Sequence, residues 1–113
     1  TEQLRDLVSE LVREQCFLFL QQEIPYGLAV EVRKFEEKPG LTRIFADVIV
    51  EKDNHRMVVL GKGGQMIRQI GSGARAGIEK LVDTKVYLEL HVAVKKKWYK
   101  NQQQMEALGY VVN

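Results

Sequence analysis

Apolar residues recur along this chain with two periods, and the switches between them divide it into elements. From residue 2 to 21, Leu4, Leu7, Val8, Leu11 and Leu18 fall at helical spacing, which predicts a helix with that stripe inward. Thr1 is placed to cap it. Val12, Cys16, Phe17, Phe19 and Leu20 add apolar surface toward its C-terminal end, more than one stripe needs. That excess predicts a deep core contact or a second face that meets another domain. Pro25-Tyr26-Gly27 then turns the chain.

Alternation takes over at Leu28, Val30 and Val32, the pattern of a half-buried strand. Glu37-Lys38-Pro39-Gly40 is a turn cluster, and a second strand follows with Ile44, Ala46, Val48 and Val50 inward. The pair predicts an antiparallel hairpin with Phe45 and Ile49 on its other face. Glu36, Glu37, Asp47 and Glu51 read as solvated residues, and no two carboxylates are placed for acid–base chemistry. Asp53-Asn54 predicts a helix cap. The next stretch, Met57 to Leu60, fits either a short buried strand or one and a half turns of helix.

A helix is expected from about Gly64 to Val82, with Ile67, Ile70, Ala74, Ile78 and Leu81 as its buried stripe. Arg68 and Arg75 are seven apart and share another face. Gly71, Gly73 and Gly77 each weaken the helix by about 1 kcal/mol relative to Ala. Close packing on the sheet or a ligand against the backbone would explain them. Asp83-Thr84 ends the helix, and Val86, Leu88, Leu90, Val92 and Val94 alternate over a long strand. Lys95-Lys96-Lys97 and Trp98-Tyr99-Lys100 follow. They read as a solvated strand end, a basic track for RNA, or a contact to anionic lipid or another domain. A short amphipathic helix with Met105 and Leu108, capped by Gly109, is expected last.

The stretch from Leu60 to Ile70, Leu-Gly-Lys-Gly-Gly-Gln-Met-Ile-Arg-Gln-Ile, carries the candidate chemistry. Glycine reaches positive φ and lets another backbone come close. A helix start just past such a loop offers unpaired N–H groups to an anion, and Lys62 adds a mobile positive charge. The chemistry is phosphate binding. A nucleotide P-loop is the wrong fit: Gly63 follows the lysine where Ser or Thr is needed, and Arg56 stands where the first glycine would be. A bare helix–turn–helix has no need of a lysine between glycines.

Composition narrows little further. At 113 residues and 45% apolar, the chain is one domain with a real core. A net charge of +2 is too small to argue nucleic acid by itself. The lone Cys16 makes no internal disulfide. His55 and His91 are isolated, and no metal-ligand spacing occurs. Thr1 opens directly onto a helical pattern without an initiator Met, as expected of a piece of a longer chain.

The glycine stretch resembles the KH-domain signature: an apolar residue, G-x-x-G, then two apolar residues three apart. The order α-β-β-α-α-β plus a short C-terminal helix resembles the type II form. That is an α+β fold with a three-stranded mixed sheet and helices on one face. Glu23-Ile24-Pro25-Tyr26, Leu88-Glu89-Leu90, Trp98 and Leu108-Gly109-Tyr110 further resemble the C-terminal domain of the bacterial Era GTPase family, over essentially the whole of residues 1–113. His91 and Ala93 depart from the Trp and Lys usual there.

The resemblance implies a non-enzymatic module that binds single-stranded RNA, the 3′ end of 16S ribosomal RNA, during assembly of the 30S subunit. Gly61, Lys62, Gly63 and Gly64 would clamp phosphate and sugar. Leu60, Met66 and Ile67 would wall the groove, and Gln65, Arg68 and Arg75 would complete the RNA site. The family's GTPase domain, with its GTP and Mg, would be the module's own partner, absent from this stretch. A cytoplasmic location with peripheral contact at the inner face of the cell membrane is also implied. The alternatives are the type II KH domain of another bacterial RNA-binding protein and a phosphate- or nucleotide-binding enzyme module.

Overall fold

The computed structural model describes residues 2–20 and 28–95. The expected Thr1 cap, the 25–27 turn, Trp98 and the expected C-terminal helix lie outside those residues. The order within them is α1 (Glu2–Leu20), β1 (Ala29–Lys38), β2 (Leu41–Val50), α2 (Asp53–Leu60), a 3-10 turn (Lys62–Gly64), α3 (Gln65–Val82) and β3 (Lys85–Val94). The strands lie in the order β1-β2-β3. The hairpin β1–β2 is antiparallel, whereas β2 and β3 are parallel. A tight turn can make the first pairing, but parallel neighbours need a crossover, which α2 and α3 supply.

The helices cover one face of the sheet. Ile44, Val48 and Val50 of β2 meet Val8, Val12, Cys16 and Leu20 of α1, Val59 of α2, and Ile70, Ala74 and Ile78 of α3 in one buried cluster. Removing such a side chain from water contributes about 1.5–3 kcal/mol each, and this cluster holds the layers together. Burial also pushes the Cys16 thiol up to about 12. In α3 the buried row is Ile70, Ala74 and Ile78, with Val82 packed against the cluster.

Four expectations change. The buried row of α1 is Val8–Val12–Cys16–Leu20, strictly four apart, and Leu7 and Leu18 face out at 48% and 60% exposure. Leu81 is likewise exposed, because the row steps by four from Ile78 to Val82. Lys52, in extended geometry and with no side-chain cap bond, holds the N-cap position of α2 rather than Asp53 or Asn54; Asp53 occupies the first turn, where its charge suits the helix N-terminus. Asp47 is buried, and its carboxylate accepts a 3.0 Å hydrogen bond from Arg33. Arg33 is the extra residue of a β-bulge between Val32 and Lys34. The bulge resets the alternation, so Phe35 joins the core side of the sheet and Lys34 faces Phe45 on the other.

The glycines of α3 also have a different neighbour from the expected one. A Cβ on Gly77 would lie 3.6 Å from Leu11, and one on Gly73 would run into Gln15. Both glycines bring α3 close to α1, not to the sheet. Only Gly71 faces the sheet, where its Cβ would lie 3.7 Å from Leu90.

Candidate nucleic-acid interface

Met57 to Leu60 is helical. Met57 is 63% exposed and Val59 is fully buried. A strand would put both on one face, so only a helix reconciles them. The helix closes at Gly61, whose N–H donates to the Met57 carbonyl at 2.9 Å. Gly61 then takes φ 72° and ψ 176°, a backbone open to glycine alone. A Cβ there would stand 2.6 Å from Met66 Cβ. Gly64, at φ 76°, donates back to the Gly61 carbonyl at 3.2 Å and delivers the chain into α3.

Between these two glycines Lys62 and Gly63 are exposed. A Cβ on Gly63 would meet nothing within 4 Å. The turn therefore presents its two inner residues to solvent at the N-terminus of an 18-residue helix. The Gln65 N–H donates to the Lys62 carbonyl across the turn, and the start of α3 carries the positive end of the helix dipole. Arg68 bends back over the turn: its Nη1 lies 3.2 Å from where a Gly64 Cβ would stand. Lysine, guanidinium and helix start converge at one place, and an anion is what they fit.

A groove of about 700 Å³ runs between α3 and the edge strand β3. Ile67, Gly71, Leu88 and Leu90 give it an apolar floor, and Arg68, Ser72 and Arg75 form the helix side. Glu79 ties the far end, where its Oε2 accepts the Val86 N–H at 3.0 Å. Thr42 and Thr84 hydrogen-bond at 2.8 Å on the same end of the sheet. Among the described residues, Lys62, Arg68, Arg75 and Lys85 form no ion pair.

The expected site residues divide accordingly. Gly61, Lys62, Gly63 and Gly64 form the turn, and exposed Gln65 begins α3 beside it. Ile67, Arg68 and Arg75 line the groove. Met66 instead packs against the core and over Gly61, and half-buried Leu60 ends α2 without lining the groove. Sequence reading missed Arg43, Lys85 and Tyr87, which also line it. Outward alternation marked all three only as surface. The His55 and Cys16 side chains lie away from this groove, and no group of His, Cys, Asp or Glu among the described residues could hold a metal ion.

Comparison with known proteins agrees with this geometry. A family model described as KH domain matches residues 23–99. GTPase Era of Trichlorobacter lovleyi is 45% identical over 105 residues, which are 92% of this chain and 36% of that protein. GTPase Era of a Nostoc species is 43% identical over 108 residues, 96% of this chain and 33% of that protein. The chain thus spans about a third of the length of the curated relatives it matches. Two solved structures superpose with TM-score 0.90 at 31% identity, over 96% of this chain and 37% of theirs. One is Aquifex aeolicus Era bound to GDP and aluminium fluoride; the other is Era in complex with MgGDPNP and nucleotides 1506–1542 of 16S ribosomal RNA. With a helical Met57–Leu60, a glycine turn opening α3 and a mixed three-stranded sheet beneath, the chain belongs to the KH domain family.

Proposed function

We propose that this chain binds single-stranded RNA as the C-terminal KH unit of an Era-like GTPase, and that its target is the 3′ end of 16S ribosomal RNA in assembly of the 30S subunit. The observation that carries this reading is Arg68, which lies against the exposed glycine turn and also lines a groove of apolar floor and basic rim. Phosphates meet the turn, where Lys62, Arg68 and the first N–H groups of α3 supply positive charge. Unstacked bases lie along Ile67, Gly71, Leu88 and Leu90, surfaces that suit a base face. A duplex hides those faces and gains nothing from such a floor. Arg75 continues the charge along the outgoing strand.

The solved Era complex with nucleotides 1506–1542 supports the choice of RNA. GTP and Mg belong to the remaining two-thirds of such a protein, and that GTPase domain is the chain's partner in it. The Era-like reading puts the protein in the cytoplasm. Separately, no helix among the described residues is long and apolar enough to cross a membrane. Peripheral contact with anionic lipid would fall to the basic run from Lys95, and cosedimentation with anionic vesicles tests it.

The test of the main reading is a titration with the RNA of nucleotides 1506–1542, its single-stranded fragments, and a duplex of the same sequence, across salt concentrations. Single strands bind more tightly than duplex. Two to four phosphates at the turn and rim give a log–log salt slope of about −1.5 to −3. Equal affinity for duplex, or a much steeper slope, would point to a spread-out basic surface and overturn the groove.

A further inference from the structure

The groove does not end at the sheet edge. Its lining includes Leu41, Arg43, Lys85 and Tyr87, which the strand register places on the face of the sheet opposite the helices. The register sets Leu41 beside Lys85 and Arg43 beside Tyr87. One continuous cavity therefore starts on the helix side, at Ile67 and Arg68, and passes around the first residues of the edge strand β3.

The chemistry at that bend differs from the glycine turn. Tyr87 is 46% exposed, with the Arg43 guanidinium 5.7 Å from its ring centroid. The same guanidinium lies 5.4 Å from the Phe45 ring, and the two rings are 6.0 Å apart and tilted. The acids nearby are already engaged. Glu89 accepts from the Tyr87 hydroxyl at 2.9 Å and pairs with His91 at 2.8 Å. Glu36 lies 3.8 Å from Arg43 and 3.7 Å from Lys34. Glu79, which also lines the cavity, accepts the Val86 N–H at 3.0 Å, and Lys85 and Arg75, on either side of the bend, form no ion pair.

Resting on the RNA-binding reading above, we propose that Tyr87, Arg43 and Lys85 form a second subsite for the same single-stranded RNA: the strand leaving the groove turns around β3, stacks one base on Tyr87 beneath Arg43, and sets a phosphate on Lys85. Two features argue for this occupant. The subsite is continuous with the groove, so a strand lying there reaches it without a break. It also combines an exposed aromatic face with a lysine that forms no ion pair and an arginine over the ring, the combination that holds unpaired nucleotides irrespective of sequence.

The test compares wild type, Tyr87→Ala, Tyr87→Phe and Lys85→Ala, with Lys62→Asp/Gly63→Asp as a separate control. The probes are the RNA of nucleotides 1506–1542 and a ladder shortened stepwise from each end. Tyr87→Ala weakens binding of the full RNA about 5- to 100-fold, as loss of one stacked base does. Tyr87→Phe keeps the ring and stays near wild type, and Lys85→Ala weakens binding and flattens the salt slope. At one step of the ladder wild-type affinity drops by the same factor, and Tyr87→Ala is indifferent to that step. Tyr87 ring protons shift in the NMR spectrum with the full RNA and not with the shortened one. Wild-type affinity for Tyr87→Ala, with binding weakened at least about tenfold in the loop control, would overturn the subsite and leave the groove standing. Wild-type affinity in the loop control would overturn the groove itself.

Discussion

Replacing Lys62 and Gly63 by aspartate separates phosphate clamping from folding. Both positions are exposed, and a side chain at Gly63 enters open space. Gly63 has φ 62° and ψ 23°, so aspartate must enter the left-handed region. That costs a typical L-residue about 1–2 kcal/mol, and aspartate less than most. For a domain of this size, a loss near 1 kcal/mol lowers the Tm by about 3–6 °C. The effect on binding is larger. The local charge moves from one positive to two negative where phosphate must approach. At about 5 Å and an effective dielectric between 20 and 80, each charge is worth roughly 1–3 kcal/mol. Three charge units weaken Kd at least about tenfold after salt screening, and more at low ionic strength. Lys62→Asp alone, a change of two units with no backbone cost, gives an intermediate loss at unchanged Tm. A binding titration and a melt on the same preparation check both halves. Wild-type affinity in a folded double variant would refute the clamp.

Three further outcomes test the turn and the packing of the core. Gly61→Ala destabilises by about 2–4 kcal/mol, because it adds backbone strain to a clash with Met66; urea unfolding measures it. Gly77→Ala does the opposite, raising stability by about 1 kcal/mol, since its Cβ would meet Leu11 at an ordinary 3.6 Å and the helix gains propensity. Cys16, with its thiol pushed up to about 12 by burial, favours the folded state below its unfolded pKa near 9 and loses that contribution as pH rises to about 12. Urea midpoints between pH 9 and 12 therefore fall less steeply in Cys16→Val than in wild type, and the wild-type thiol reacts with a thiol reagent at neutral pH only at the rate of unfolding.

Where local pattern and tertiary packing asked for the same thing, the fold was legible. In β2 and β3 the inward positions Ile44, Val48, Val50, Val86, Leu88 and Leu90 face the helices as alternation requires, although the far half of β2 is buried on both faces, with Ile49 packed on Ala29 and Ala93. β1 was legible only as far as Val32. A bulge adds one residue without any compositional mark at Arg33, and every later side chain changes face. Helix α1 offered two apolar rows at helical spacing. The choice between them is made by packing: Gly73 and Gly77 of α3 receive Gln15 and Leu11, and the neighbouring row Val8, Val12, Cys16 and Leu20 is the one that turns into the core. A glycine's lack of side chain records permission for a neighbour, not which neighbour arrives. Asp47 follows the same logic: alone it reads as a solvated strand residue, and only the bulged Arg33 across the hairpin makes its burial tolerable.

The two halves of the candidate site differ in the same way. The turn is a local object. Gly61, Gly63 and Gly64 need positive φ because of bonds made within five residues, so their spacing alone announces the geometry. The groove is not local. Its helix side is Ile67 to Glu79, but its other side is a strand that begins at Lys85 and is set there by parallel pairing with β2. No spacing within the glycine stretch encodes which residues of that strand will face α3, and none encodes that Arg43 will reach over Tyr87. The apolar positions of β3 could be assigned to the helix side by alternation, which brings Leu88 and Leu90 to the groove floor. The polar positions could be assigned only to the outside, where a lysine and a tyrosine look like ordinary protection of a sheet edge. What turns them into candidate ligand contacts is the exposed position of β3 at the sheet edge, which lets a single cavity bend from one face to the other. The proposed phosphate site is thus written in a motif of four residues, whereas the path proposed for the strand beyond it is a property of the sheet order.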